Sequence, residues 1–269
     1  MQYDPIKSSL GKVFNASPIL RVFFYKLLDI LLLRTWHVKK ELNLFRSSLP
    51  RNANILDAGS GFGQYTYHLA KKFPQSHITG VDVKEEQIED CNNFFGKLGL
   101  SDRVCFKVAD LTKLREEDKY NLVLSIDVME HILEDVEVFR NFYFSMKKDG
   151  MLLISTPSDK GGSDVHDDSD ESFIGEHVRD GYNMDDIIQK LKSAGFGNVN
   201  ARYSYGKPGS ISWKLSMKYP IIMLNTSKIF FILLPFYYLL TFPVSLVLNY
   251  FDVKSTHESG TGLIVKAIK

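Results

Sequence analysis

From Asn54 onward, short apolar runs alternate with amphipathic stretches, and this alternation restricts the possible folds more than any other feature of the chain. Asn54–Ala58, His77–Asp82, Val104–Val108, Tyr120–Ile126 and residues 151–155 have the length and composition of buried strands. Residues 63–72, 85–98, 136–146 and 184–194 have helical spacing. In the first of these, Tyr65, Leu69, Ala70 and Phe73 fall on one side, and in the last Gly195 ends the helix. Residues 199–205 and Gly262–Ile268 read as a sixth and a seventh strand. Strand–helix units this short predict an α/β fold with a mainly parallel sheet covered on both faces.

The first strand runs into Ile55-Leu-Asp-Ala-Gly59-Ser-Gly61-Phe-Gly63, and a helix begins directly after it. Glycines at such a turn permit positive φ and let a ligand approach the backbone. The helix terminus behind them offers unpaired N–H groups and a partial positive charge. Asp82 closes the second strand nineteen positions after Gly63, which puts a carboxylate across the crevice within reach of ribose hydroxyls. The spacing is Gly-x-Gly-x-Gly and not the Gly-x-Gly-x-x-Gly of dinucleotide sites, so NAD is not the expected ligand.

This turn, with Asp57 two residues ahead of Gly59, resembles the first motif of the class I S-adenosylmethionine (SAM)-dependent methyltransferases. The resemblance continues through Val81-Asp82-Val83, Ala109-Asp110-Leu111, the stretch from Asn121 to His131, and Leu152-Leu-Ile-Ser-Thr-Pro157. It implies a Rossmann-like, doubly wound seven-stranded sheet with a reversed last strand. It also implies SAM as cofactor, with Asp57, Gly59, Gly61 and Gly63 beside its methionine part, Asp82 and Val83 at the ribose, Asp110 and Leu111 at the adenine, and Asp127 lining the same site.

Asp127, Glu130 and His131 follow the fourth strand, and His177 lies in an acidic loop after the fifth. Acid-x-x-Glu-His with a distant histidine resembles the ubiquinone-pathway O-methyltransferases and the small-RNA 2′-O-methyltransferases, where a divalent cation sits beside the acceptor oxygen. This chain has Asp127 where those have Glu. His131, His177 and Glu130 are the candidate catalytic residues; in the alternative without metal, Glu130 and His131 line the acceptor pocket, and His131 or His177 is the candidate general base. His166, amid Asp164, Asp167 and Asp168, reads as a solvated loop residue; His37, His68 and His257 belong to no sequence cluster and read as structural.

Net charge is +1, which gives no global field for nucleic acid, but the charge is unevenly distributed. Residues 4–40 carry Lys7, Lys12, Arg21, Lys26, Arg34, Lys39 and Lys40 against Asp4 and Asp29. Residues 159–186 hold ten acids against Lys160 and Arg179. Such blocks predict surfaces that face different partners. Cys91 and Cys105 form no metal or redox motif and fit a reducing compartment. Residues 1–12 are polar and no cleavage pattern follows, so no signal peptide is expected and a cytoplasmic location is.

Four segments result: an amino-terminal helical segment over 1–50, a cofactor-binding core over 51–205 with the acidic loop at 158–181, an apolar insertion over 206–259, and the last core strand over 260–269. Residues 19–33 read as a helix apolar on almost every side. Residues 229–248 contain no charge and have the length of a membrane span. A single span is not expected, because the strands on either side share one sheet, and Pro235 and Pro243 predict short helical pieces. Three placements follow. The insertion lies in a membrane interface with Lys207, Lys214, Lys218 and Lys228 at anionic headgroups; or it covers the substrate pocket; or it buries against residues 19–33 of the same chain or of a dimer partner. The expected activity is methyl transfer to an oxygen of a small apolar, aromatic or lipid-like acceptor, peripheral to a membrane inner face if the insertion binds there. The alternative is a non-catalytic SAM-binding or membrane-associated protein that retains the fold.

Overall fold

The structure is a computed structural model and describes residues 17–161, 178–227 and 229–269. Two helices open it, α1 (Pro18–Leu31) and α2 (Leu33–Phe45). The core then runs β1 (Asn54–Ala58), α3 (Gln64–Lys72), β2 (His77–Asp82), α4 (Glu85–Lys97), β3 (Val104–Val108), β4 (Tyr120–Ile126), a 3-10 turn (Met129–His131), α5 (Asp135–Ser145) and β5 (Met146–Pro157). After the acidic loop come α6 (Met184–Ser193) and β6 (Asn198–Ser204). The insertion forms α7 (Lys207–Trp213), a π turn (Lys214–Lys218), α8 (Tyr219–Thr226) and α9 (Phe230–Lys254), and β7 (Gly262–Ile268) closes the sheet.

Strand order is β3-β2-β1-β4-β5-β7-β6. All pairs are parallel except those of β7, which runs antiparallel to both β5 and β6. The expected doubly wound sheet with its reversed last strand is therefore present. Alternate residues of each strand feed opposite faces. Leu56, Val123, Leu152 and Val265 join one core layer with Phe139 and Phe142 of α5. Ile55, Leu122, Leu153 and Ile264 join the other with Leu69 of α3 and Phe94 and Phe95 of α4. Order reverses between β1 and β4, and in such sheets the crevice outside the strand carboxyl ends at that point receives ligands.

The insertion departs from expectation. Residues 230–254 form one continuous helix with Pro235 and Pro243 inside it. Each proline removes one intrahelical bond, but the turns on both sides continue across the gap. The arm of α7, the π turn and α8 runs back along α9 as a helical hairpin. Gly209 N donates to Asp252 Oδ2 (2.9 Å), Ser212 Oγ to Asn249 Oδ1 (2.6 Å) and Tyr237 Oη to the Leu215 carbonyl (2.7 Å). Its main packing partner in the body is α2, and both α1 and α9 leave apolar faces outside. The physical reason lies in their polar residues. Arg21 and Tyr25 of α1, and Asn249 and Asp252 of α9, find their hydrogen bonds inward, and leaving such groups buried without partners costs about 1–3 kcal/mol each.

Asp252 is the pin at the hairpin base. Fully buried, it accepts from Gly209 N and Tyr205 N, pairs with His37 Nε2 at 2.8 Å, and lies 3.2 Å from His257 Nε2. His37 and His257, unclustered in sequence, thus meet on one carboxylate.

At the switch point, Gly59 has φ +79°, and a Cβ there would lie 2.2 Å from Val128 Cγ2. Gly59→Ala is expected to lower stability by roughly 2–4 kcal/mol, the sum of left-handed strain and overpacking. Val128→Ala in the same chain should restore the overpacking part. Denaturant titration of the single and double variants checks this; equal stability of the two would show that Val128 does not confine the turn.

Candidate cofactor and acceptor site

The turn after β1 is held from β2. Gly59 N and Ser60 N both donate to the Val81 carbonyl at 2.8 Å. Gly61 N donates to Asp82 Oδ2 at 2.9 Å, and Lys84 N to Asp82 Oδ1 at 3.1 Å. Each Asp82 oxygen keeps a lone pair for a further donor. Gly61 has φ +50°, and nothing lies within 4 Å of the place its Cβ would take, so the backbone faces open space there. The Ser60 hydroxyl is buried and has no hydrogen-bond partner among the described residues. An open backbone cradle, an orphaned hydroxyl and a carboxylate with spare acceptor capacity fit a nucleoside cofactor such as SAM.

The other sequence-expected cofactor residues occupy varied settings. Asp57 is buried in β1, and burial pushes its carboxyl up to about 6, opposed by the Thr66 hydroxyl that donates to it at 2.5 Å. Asp110 sits on the surface after β3, where Thr112 N and Oγ1 donate to it at 2.9 and 2.7 Å and hold its carboxyl below the usual range. Val83 is exposed and Leu111 is buried in the core. Gly63 has φ +83° and lies under Phe95, Cys91 and Phe106, so it serves helix packing.

The acceptor side lies past β4. Asp127 N donates to the Ser155 carbonyl at 2.8 Å, and its carboxylate pairs with the Arg34 guanidinium at the start of α2. That ion pair keeps Arg34 charged, against the opposing effect of burial. Arg34 N donates to Tyr205 Oη at 3.0 Å. Glu130 is buried and accepts from the Thr156 hydroxyl at 3.0 Å. Burial first, and the neighbouring Asp127 charge second, push its carboxyl well above the carboxylate range. His131 ends the 3-10 turn, half-buried. His177 and His166 lie outside the described residues, but Val178 N donates to the Glu130 carbonyl at 3.1 Å, bringing the returning end of the acidic loop to this turn. Arg179 extends that anchorage, donating to Asp135, Tyr182 and the Ile132 carbonyl.

Among the described residues, no three His, Cys, Asp or Glu side chains are grouped to hold an ion. Asp127 is engaged by Arg34, and Glu130 by Thr156 in a setting that favours its neutral form. His177, the fourth of the expected donors, lies outside the described residues.

Sequence reasoning missed the amino-terminal clamp. Arg21, expected in a basic surface, is buried: it donates to Asp90 (2.5 Å) and the Phe62 carbonyl (2.7 Å) and lies 4.3 Å from the Phe94 ring centroid. Tyr25 donates to the same Phe62 carbonyl. Phe62 belongs to the glycine turn, so α1 latches the cofactor loop directly. A single arginine in an apolar helix was the available signal; its partners, 41 and 69 residues away, were not readable.

A family model described as a methyltransferase domain matches residues 49–200. The malonyl-[acyl-carrier protein] O-methyltransferase of Bacillus cereus is 31% identical over 121 residues, 45% of this chain and 44% of that protein. Phosphoethanolamine N-methyltransferase 1 of Arabidopsis thaliana is 31% identical over 168 residues, 58% of this chain and 31% of that one. The chain thus spans less than half the length of the curated relatives it matches. In fold it is similar to Haemonchus contortus phosphoethanolamine N-methyltransferase 2 in complex with SAM (TM-score 0.59, 18% identity, 84% of this chain and 51% of that one). It is equally similar to the [4+2]-cyclase SpnF (0.59, 18%, 88% and 82%), so the fold by itself does not fix a reaction.

Because the native Glu130 carboxyl titrates above its unfolded value of about 4.3, the native state binds the extra proton. Its contribution to stability is complete below about pH 4 and declines as pH rises through the native pKa. Glu130→Gln, which keeps an acceptor for Thr156, should therefore melt progressively higher than wild type as pH increases from 4.5 to 8.5. Calorimetric melting across that range decides it; a constant gap would mean Glu130 ionises normally.

Proposed function

We propose that this chain, which belongs to the methyltransferase-domain family, transfers a methyl group from SAM to an oxygen of a small apolar, aromatic or lipid-like acceptor entering at the carboxyl edge of the sheet. The observation that carries the reading is the Gly59–Ser60–Gly61 cradle tied to Val81 and Asp82, with an orphaned Ser60 hydroxyl within the turn. SAM brings a methyl on a positively charged sulfur, which makes that carbon electrophilic. The protein aligns the acceptor with it and excludes water.

In this reading Gly59, Gly61 and Ser60 support the methionine part, Asp82 binds the ribose hydroxyls, and Asp110 meets the adenine edge. The α1 clamp on the Phe62 carbonyl holds the cradle closed from the far side. Glu130, in its neutral form, shapes the acceptor wall and is not the base. His131 accepts the acceptor's proton, a step that an oxygen nucleophile requires and a neutral amine does not at the moment of attack. His177 is the second candidate for that role. No step is routed through a cation. Among the relatives are both O- and N-methyltransferases, so the family leaves the acceptor atom to experiment.

Asp82→Ala should weaken SAM binding by roughly 1–3 kcal/mol, about 5- to 150-fold in Kd, as ribose hydroxyls lose their acceptor. Calorimetry with SAM and with NADH tests it. Unchanged SAM affinity would displace the site, and NADH binding without SAM binding would end the methyltransferase reading. His131→Ala should leave SAM affinity intact and reduce transfer about 10²- to 10⁴-fold. Incubating labelled SAM with lipid and polar extracts, then identifying O- or N-methyl products, separates an oxygen acceptor from a nitrogen one.

A further inference from the structure

The hairpin helix α9 is built inside out. Toward the α7–α8 arm it directs Tyr237, Tyr238, Ser245, Asn249 and Asp252. The phenol groups donate to the Leu215 and Ser216 carbonyls at 2.7 and 2.8 Å, and Ser245 and Asn249 meet Ser212. Away from the arm it presents Ile232 (69% exposed), Phe236 (66%), Leu239 (73%), Leu240 (76%), Val244, Val247 and Phe251. These follow the three-and-four spacing of a single helix face. From Ile232 to Phe251 that face is about 28 Å long at 1.5 Å per residue. In the most apolar eighteen-residue stretch of this helix only 6% of residues are buried. Pro235 and Pro243 also lie on the exposed side.

A helix in water places its polar side outward. Here Tyr237, Tyr238, Asn249 and Asp252 pair with side chains or backbone of the arm and the body, and the hydrocarbon is outside, which is the arrangement a lipid environment demands. α1 repeats the inversion, with Arg21 and Tyr25 inward and Ile19, Phe23 and Ile30 exposed.

We infer that the outward face of α9 lies in the acyl–headgroup boundary of one leaflet of an anionic bilayer, with the hairpin flat in the membrane plane. Four observations select lipid and this orientation. No acidic residue occurs between Lys207 and Phe251, whereas the accompanying arm carries Lys207, Lys214 and Lys218, so the segment has no negative charge of its own to repel anionic headgroups. Ser204 and Gly262 are direct cross-strand partners, so both ends of the insertion return to one sheet edge on one side of any membrane. Lys214 and Lys218 flank Leu215 and Ser216, which pair with Tyr237 and Tyr238 midway along α9, so an upright hairpin would hold two lysines in the hydrocarbon. The hairpin tip, Asn225-Thr226-Ser227, is polar as well, and suits headgroups better than acyl chains. Lys228 lies outside the described residues.

The test uses the full chain and vesicles of phosphatidylcholine with and without one-fifth phosphatidylserine. Wild type should float with the anionic vesicles and do so at least tenfold less with the neutral ones. The quadruple variant Ile232→Ser, Phe236→Ser, Leu239→Ser, Leu240→Ser alters exposed side chains only, so it should keep its melting temperature and SAM affinity while remaining in the aqueous fraction. Leu240→Trp and Phe251→Trp, read by depth-graded quencher lipids, should report similar shallow depths. Absence of flotation, flotation of the quadruple variant, or a dimer by light scattering that vesicles do not dissociate would overturn the inference. A steep depth gradient between the two tryptophans would overturn the flat orientation. SAM calorimetry, run in parallel without vesicles, reports on the proposed activity separately.

Discussion

Two backbone donors, Gly59 N and Ser60 N, share the Val81 carbonyl, and a third, Gly61 N, reaches the Asp82 carboxylate. These bonds join the turn after β1 to the end of β2 at the point where strand order reverses. The geometry requires left-handed backbone at Gly59 and leaves no room for a side chain against Val128. With the turn so fixed, the candidate site lies at the carboxyl ends of β1, β2 and β4, where strand order reverses. The candidate site is therefore a consequence of where a few peptide groups find partners.

The amino-terminal helices complete that crevice. Arg21 and Tyr25 grip the Phe62 carbonyl from α1, while Arg34 at the start of α2 pairs with Asp127 and donates its backbone N–H to Tyr205. A buried arginine requires several partners, and Arg21 finds Asp90, Phe62 and the Phe94 face together. Helix α1 is thereby locked in rotation, with Ile19, Phe23 and Ile30 outward. On the acceptor side, Asp127 pairs with Arg34, and Glu130, one turn later and buried, favours the proton. Two carboxyls three residues apart thus sit in different surroundings, one beside a guanidinium and one beside a hydroxyl.

The hairpin follows the same physics at larger scale. Asp252 gathers Gly209, Tyr205, His37 and His257 and fixes the base of α9 to the body. Once that pin and the Tyr237 and Tyr238 bonds are set, the rotation of α9 is determined, and its apolar face has to point away. Hydrophobic burial of a single Phe is worth about 2 kcal/mol. A fully buried, hydrogen-bonded carboxylate turned toward apolar neighbours would lose more than that.

The alternating apolar runs determined the seven strands and their helices, because a strand buried on both faces and a one-sided helix leave different periodicities in sequence. Gly59, Gly61 and Asp82 were legible for a related reason: left-handed backbone and a carboxylate at a strand end are local requirements with fixed spacing. Boundaries moved only slightly, as where β5 begins at Met146. What the sequence did not determine was which way α1 and α9 would turn. For the two apolar segments the sequence left a membrane interface, a cover over the pocket and mutual burial all open, and Pro235 and Pro243 predicted short pieces. The tertiary structure gives one continuous helix instead, with its rotation set by a few polar residues whose partners lie from 22 to 215 positions away. Periodicity records how much apolar surface a helix has. The partners of Arg21, Arg34 and Asp252 decide where that surface faces, and those contacts exist only once the chain has folded.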